Sequence, residues 1–228
     1  LPAQALIASH STWLDLRALA AATQRPQQVL GLNMVSPLWL TEDAGSMRLL
    51  EVVRTGNTAV SAQLRVLQLA KRLRKLTVVE RIGDETGAAV AAIGASMLRR
   101  YLQAGHDLLA GGTHATQIDA ALQSWGMRLG PFALQDLAGE QLPASLRPTP
   151  DASQANITNI PDAPGDAAIV RLCLEALIDE GRRLLHTGVA LREVDIDMVC
   201  LHGYGFAPYR GGPMFQAAEL GLRPEPGL

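Results

Sequence analysis

Cysteine is scarce in this chain of 228 residues, and its scarcity excludes two kinds of stabilising site. The two cysteines, Cys173 and Cys200, form no C-x-x-C pair, and neither stands at ligand spacing from a histidine. We therefore expect neither a disulfide scaffold nor a structural zinc, and we predict no metal site. Free thiols favour a reducing compartment, so the expected location is cytoplasmic.

An excess of basic charge and long apolar runs are missing as well. The chain has 20 Lys and Arg against 22 Asp and Glu, so nucleic acid is not an expected partner. The longest run without polar side chains, residues 87–95, is too short and too rich in alanine to span a bilayer. No signal or transit peptide is recognisable, although Leu1 need not be the native start, so targeting stays open.

Hydrophobic residues make up 48% of the chain, which is enough for a sizeable core. In the N-terminal part, short β-branched or leucine-rich runs alternate with amphipathic helical patterns, as is typical of an α/β fold. The predicted strands are residues 5–8, 28–35, 49–54 and 77–80, and the predicted helices are residues 14–22 and a segment capped by Asn57 or Thr58.

The helix predicted after residue 58 carries an apolar stripe of the kind that faces a core. Its members, including the residues that widen it, are Val60, Leu64, Val66, Leu67, Leu69 and Leu73. A basic cluster within residues 71–75 follows at its C-terminal end, where cations complement the helix dipole. A surface that meets a phosphorylated ligand is the alternative interpretation of this cluster.

Beyond Gly87 the patterns predict helices at residues 88–109, 116–125, 131–137 and 167–185, and no convincing strand. Residues 141–165 are rich in proline and lack periodicity, which predicts a linker or a meandering loop.

The helical part contains an internal repeat. Residues 104–112 match residues 180–188 in their glycines and their Leu-Leu pair, and Ile118-Asp119 matches Ile196-Asp197. Downstream, Gly130-Pro131 has a counterpart in Gly212-Pro213. Two copies are too few for a solenoid, so we expect two units packed against each other, with their Gly-Pro turns in equivalent places.

Four polar stretches in the N-terminal part follow or interrupt predicted strands, where open α/β sheets keep their sites. They are residues 9–12, residues 33–37, Glu51 and residues 83–87. Glu51 interrupts an apolar strand, so it is either buried with a partner or on an edge strand facing water. The Ser-His-Ser-Thr stretch at residues 9–12 favours a turn over nucleophilic catalysis, since sequence neighbours rarely form a triad.

The glycine-rich stretch at residues 203–213 begins like a dinucleotide loop but has Pro208 in place of the third glycine. Its Gly-Pro end is more typical of a helix entry with proline at the first helical position. Cys200 and His202, two residues apart, are weak as a metal site.

Several of these stretches together resemble the NAD-dependent 3-hydroxyacyl-CoA dehydrogenases of fatty-acid β-oxidation. The resemblance rests on A-S-H-S-T at residues 8–12, G-L-N-M-V-S-P at 31–37, L-L-E-V-V at 49–53, D-I-D at 195–197, H-G-Y-G-F at 202–206 and R-G-G-P-M at 210–214. The last three are similar to the C-terminal helical unit of the multifunctional enzymes that also carry an enoyl-CoA hydratase.

The resemblance implies an α/β remnant of a Rossmann-like domain followed by two mainly α-helical units. The implied boundaries are residues 1–86 for the C-terminal half of the NAD-binding domain, 87–140 and 166–228 for the helical units, and 141–165 for the linker. The half with the glycine-rich loop would then be absent from this chain, so the chain alone is expected to bind NAD weakly or not at all.

The implied reaction oxidises 3-hydroxyacyl-CoA to 3-oxoacyl-CoA with NAD as the acceptor. The resemblance places Asn33 at the position of the family's general-base histidine, Glu51 at the glutamate that orients it, and Thr12 at a substrate-binding serine. It also implies cofactor contacts from Ser9, Thr12 and Ser36.

The sequence departs from the family pattern at three places. An amide at Asn33 has no accessible pKa with which to accept a proton, and the family's asparagine falls near Ala91. A longer segment, residues 40–46, separates Asn33 from Glu51. Activity is therefore uncertain, and the alternative is a degenerate homologue or fragment that binds acyl-CoA or serves as a structural module. A homodimer, or an association with other β-oxidation components, is the expectation for partners.

Overall fold

The computed structural model describes residues 2, 5–10, 15–34, 48–82, 92–142, 144–148 and 164–222. Within these residues a mixed β-sheet in the N-terminal part is followed by α-helices, which is the Rossmann-like remnant and helical remainder that the sequence predicts. No helix among the described residues is both long enough and apolar enough to cross a membrane.

The sheet has the strand order β1-β2-β3-β4. Its strands are β1 (Ile7–Ser9), β2 (Val29–Asn33), β3 (Leu49–Arg54) and β4 (Leu76–Arg81). β1 and β2 are parallel, β3 runs antiparallel to β2, and β4 runs parallel to β3. β3 coincides with its predicted range, because a run of β-branched and leucine residues on an inner strand is a strong local signal.

Two helices cover opposite faces of the sheet. α1 (Leu16–Ala21) packs on the face that carries Val29 and Val53. α2 (Val60–Arg72) packs on the other face, where its Val66 meets the buried side chains of Leu30, Leu50 and Val52.

Two predictions about α2 are wrong. Val60 is 69% exposed and Leu64 52% exposed, because the small residues of the helix, Ala62 and Ala70, face the sheet and let the backbones approach. The N-cap is Ala59 without a side-chain cap, because the hydroxyl of Thr58 donates to the Val29 carbonyl at 2.8 Å instead. The basic cluster does begin in the last turn, at Lys71 and Arg72.

Among the described residues that follow the sheet, the α-helices form two successive sets of three. The first set is α3 (Ile93–Ala110), α4 (Ala115–Trp125) and α5 (Pro131–Ala138), and the second is α6 (Asp166–His186), α7 (Glu193–Gly203) and α8 (Pro213–Glu219). α3 packs along α6, and α7 packs on β3 and β4, so the second set touches the sheet as well as the first set.

The two sets repeat the same contacts, which confirms the internal repeat. Asp119 on α4 accepts hydrogen bonds from the first backbone amides of α5, at 3.1 Å and 2.7 Å. Asp197 on α7 accepts the corresponding amides of α8, at 2.7 Å and 3.1 Å. In both sets proline is at the start of the short helix, as the Gly-Pro motifs predict.

Candidate functional site

Three polar side chains lie on one face of the sheet, on the neighbouring strands β2, β3 and β4. Asn33 on β2 is directly opposite Glu51 on β3, and Glu80 on β4 pairs with Val53, two residues beyond Glu51. Because side chains alternate along strands, all three share a face. Glu51 and Glu80 are 0% exposed and Asn33 is 1% exposed, so the cluster is inside the protein.

The N-terminus of α3 supplies hydrogen bonds to both carboxyl groups. The amide of Gly94 donates to Oε2 of Glu51 at 3.0 Å, and the amide of Ile93 donates to Oε2 of Glu80 at 2.5 Å. These amides are among those that a helix start leaves without internal partners, and the helix dipole favours negative charge there. The expectation of a buried Glu51 with a partner is therefore confirmed, and the edge-strand alternative is wrong.

Three oxygens of the cluster lack a donor among the described residues. They are Oδ1 of Asn33 and the Oε1 atoms of Glu51 and Glu80. Burial raises the pKa of Glu51 to about 7. Burial and the neighbouring charge of Glu51 raise the pKa of Glu80 well above its usual value. The site therefore contains a protonatable group, and that group is not at position 33.

The second set of helices reaches this site through the end of α7. The ring of Tyr204 packs so closely on Gly94 that a Cβ atom at residue 94 would overlap it. Burial and the charges of Glu51 and Glu80 raise the pKa of Tyr204 well above its usual value. Burial likewise raises the pKa of Cys200, which keeps that thiol protonated and unreactive.

The structure describes only some of the predicted site residues. Asn33 and Glu51 come together, and Ser9 ends β1 on the same face, paired in register with Gly31. Thr12, Ser36 and Ala91 lie outside the described residues. His10 follows β1 and is exposed, and His202 is also exposed, at the end of α7.

Sequence reasoning missed Glu80 and Tyr204. Glu80 carried the same signal as Glu51, a carboxylate within a β-branched run, and that signal could have found it. Tyr204 reaches the site through the packing of α7 on the sheet, which no local pattern shows.

NAD can be compared with this arrangement residue by residue. Ser9 and Asn33 end parallel strands, which is where such sheets bind dinucleotides, and their side chains can form hydrogen bonds to the nicotinamide end. The described residues contain no glycine-rich turn between a strand and a helix that could surround a pyrophosphate. These residues thus fit one end of the cofactor.

Comparison with known proteins agrees with this geometry. Residues 1–83 match the model of the 3-hydroxyacyl-CoA dehydrogenase NAD binding domain, and residues 93–157 match that of the 3-hydroxyacyl-CoA dehydrogenase C-terminal domain. Together the two matches span more than half of the chain. The chain belongs to the 3-hydroxyacyl-CoA dehydrogenase family.

Two curated relatives extend the match over almost the whole chain. The peroxisomal bifunctional enzyme of Cavia porcellus is 29% identical over 282 residues, which covers 96% of this chain and 37% of the relative. That of Danio rerio is 30% identical over 280 residues, covering 95% and 37%. The chain thus spans little more than a third of these relatives.

A solved structure has the same fold. It is the 3-hydroxybutyryl-CoA dehydrogenase of Escherichia coli K12, with a TM-score of 0.50, 20% identity, and coverage of 93% of this chain and 36% of that one. This likeness confirms the predicted fold class, and the two matched models confirm the predicted family with its NAD binding domain.

Proposed function

We propose that the chain is the dehydrogenase part of a multifunctional β-oxidation protein, in which it binds 3-hydroxyacyl-CoA and oxidises it slowly to 3-oxoacyl-CoA with NAD. The observation that supports this most is the buried pair formed by Asn33 at the end of β2 and Glu51 opposite it on β3, beside the N-terminus of α3. The bound cofactor supplies the hydride acceptor, and the chain's own residues bind, orient and handle the proton.

The roles of individual residues follow from their chemistry. Asn33 can donate to and accept from a substrate hydroxyl, yet its amide cannot take up the hydroxyl proton. Ser9, Thr12 and Ser36 are proposed to contact the cofactor, and Thr12 also the substrate. The loss of a general base removes about 10²- to 10⁴-fold in rate, which is why we expect slow turnover.

We further propose the unit boundaries given by the sequence, with residues 1–86 handling the cofactor side and residues 87–140 and 166–228 forming the helical units. The repeated aspartate contacts at α5 and α8 support this division. A cytoplasmic location stays a prediction, since the relatives above are peroxisomal by name. A homodimer, or association with other β-oxidation components, is likewise a prediction.

Asn33 favours a second candidate, a degenerate homologue that binds acyl-CoA without turnover. One measurement tests both candidates together, and a second separates them. Calorimetric titration with a short acyl-CoA tests binding, which both candidates require, and its absence would contradict both. Steady-state NADH formation from a short 3-hydroxyacyl-CoA tests turnover, and complete absence with intact acyl-CoA binding would favour the degenerate homologue.

A further inference from the structure

The two buried glutamates leave one carboxyl oxygen each without a donor. Oε2 of Glu51 and Oε2 of Glu80 accept the α3 amides, whereas both Oε1 atoms are buried and unpartnered among the described residues. A buried oxygen without a donor keeps its full desolvation cost, and that cost is largest for an ionised carboxylate. The structure therefore calls for a donor between these two side chains.

The neighbouring side chains do not supply that donor. The ion pairs found within the described residues include neither Glu51 nor Glu80. Glu51 and Glu80 are, however, diagonal neighbours on one face of the sheet, since Glu80 pairs with Val53, which places their carboxyl groups within reach of a hydrogen bond. Two acceptor oxygens at this distance repel when both groups are ionised and attract when one carries a proton.

We propose that Glu51 and Glu80 share one proton, carried by Oε1 of Glu80 and donated to Oε1 of Glu51, and that Glu80 thereby positions Glu51 in the candidate site. The shared proton satisfies both unpartnered oxygens at once. It also reduces the pair to a single negative charge, which the N-terminus of α3 stabilises. This inference does not depend on the proposed catalytic activity.

The other polar and titratable groups around the pair reinforce this arrangement. From β2 the pair faces the neutral amide of Asn33, and from the second set of helices it faces Tyr204 and Cys200. Burial raises the pKa of both Tyr204 and Cys200, so they stay neutral and add no compensating charge. A second negative charge on the pair would have no cation to balance it within the described residues.

The direct test is a ¹³C NMR titration of the glutamate side-chain carboxyl carbons between about pH 5 and about pH 9. In the wild type, one glutamate carboxyl is expected to remain protonated at neutral pH. In Glu80→Gln the amide of glutamine replaces the shared proton as donor, so Glu51 is expected to titrate near its wild-type value, while the second, higher ionisation of the pair disappears. In Glu80→Leu no donor remains, so Glu51 is expected to titrate higher than in the wild type.

This difference between the two variants distinguishes a shared proton from burial alone, which would give Glu51 the same titration in both. Glu140→Gln removes an exposed carboxyl and serves as the matched control, with no expected change at Glu51. Ionisation of both carboxyls by about pH 6 in the wild type would overturn the proposal. So would equal titrations of Glu51 in Glu80→Gln and Glu80→Leu.

A second measurement keeps the test decisive if Glu80→Leu fails to fold. The folded protein holds a proton that the unfolded chain releases above the ordinary glutamate pKa of 4.5. Stability is therefore fully present below that pKa. One part is lost as the pH rises through about 7, the raised value of Glu51, and the rest at the higher pH at which Glu80 ionises. The unfolding constant should rise by about tenfold per pH unit for each proton involved.

Glu80→Gln should show a weaker rise of the unfolding constant with pH than the wild type, because its amide donor does not titrate. At about pH 8 it should therefore be the more stable protein. The same pH dependence in Glu80→Gln and the wild type would contradict the shared proton.

Discussion

The two sets of helices share a framework and differ where they meet the sheet. In both, an aspartate on the second helix accepts the first amides of the third, through Asp119 and Asp197. In both, a glycine in the long helix lets the third helix approach, with Gly105 against Pro131 and Gly181 against Met214. The repeat is thus maintained by a few backbone-directed contacts.

The difference lies at the end of the second helix of each set. The C-cap of α4 is Gly126, with a positive φ of 124°, whereas the C-cap of α7 is Tyr204, whose ring covers the start of α3. The first set offers helix amides to the carboxyl pair, and the second set covers those amides. Duplicated units can thus keep one framework while the residue at a given position contacts the site in only one of the two units.

The largest expected change in the free energy of unfolding follows from removing the aspartate contact of the second set. Asp197→Ala leaves two amides of α8 without an acceptor, and we expect a loss of about 3 kcal/mol in the free energy of unfolding. Asp119→Ala removes the equivalent bonds, but Asp119 is only half-buried, so the expected loss is about 2 kcal/mol. Chemical denaturation of both variants measures this, and equal small losses would show that these contacts do not hold the units.

The next effect tests the difference between Gly126 and Tyr204. Gly94→Ala forces a Cβ atom into the ring of Tyr204, and we expect about 2 kcal/mol of destabilisation from overpacking. Tyr204→Ala should relieve most of that clash in the double variant, so the two changes should be strongly non-additive. Additive losses in the double-mutant cycle would mean that the ring does not lie on Gly94.

The smallest effect concerns α2, where the sequence and the structure disagree. Leu64→Gln replaces a side chain that is 52% exposed, so the expected change is within about 0.5 kcal/mol. Val66→Ala on the same helix is the matched control, because Val66 is buried, and about 1 to 2 kcal/mol is expected. Thermal or chemical unfolding measures the stability of both variants. A large loss of stability in Leu64→Gln would mean that the predicted apolar stripe of α2 faces the core.

These cases show which parts of the fold local patterns could predict. β3 and the helix of residues 131–138 follow from strong local signals, and Glu51 stood out because a carboxylate in an apolar strand needs a partner. The orientation of α2 depends on which of its apolar faces packs closely on the sheet, and the sequence of the helix alone does not show this. α7 was not predicted from the sequence. Its own buried residues lie on several sides of the helix, so their spacing indicates no single buried face.

The candidate site, like the fold, was predicted only where a local sequence pattern indicates the contact. Asn33 and Glu51 are brought together by strand pairing that a motif can indicate. The register of β4 places Glu80 in the site, and the packing of α7 places Tyr204 there. Both depend on the whole fold.

On the proposed function, this chain binds the substrate of its family but has an amide, Asn33, where a general base would act. The most direct test is steady-state NADH formation from a short 3-hydroxyacyl-CoA by the complete natural protein, with acyl-CoA binding measured alongside. We predict binding together with turnover about 10²- to 10⁴-fold below that of a family member that keeps the histidine, and no restoration by Asn33→His alone. Robust turnover that disappears in His10→Ala would contradict the claim.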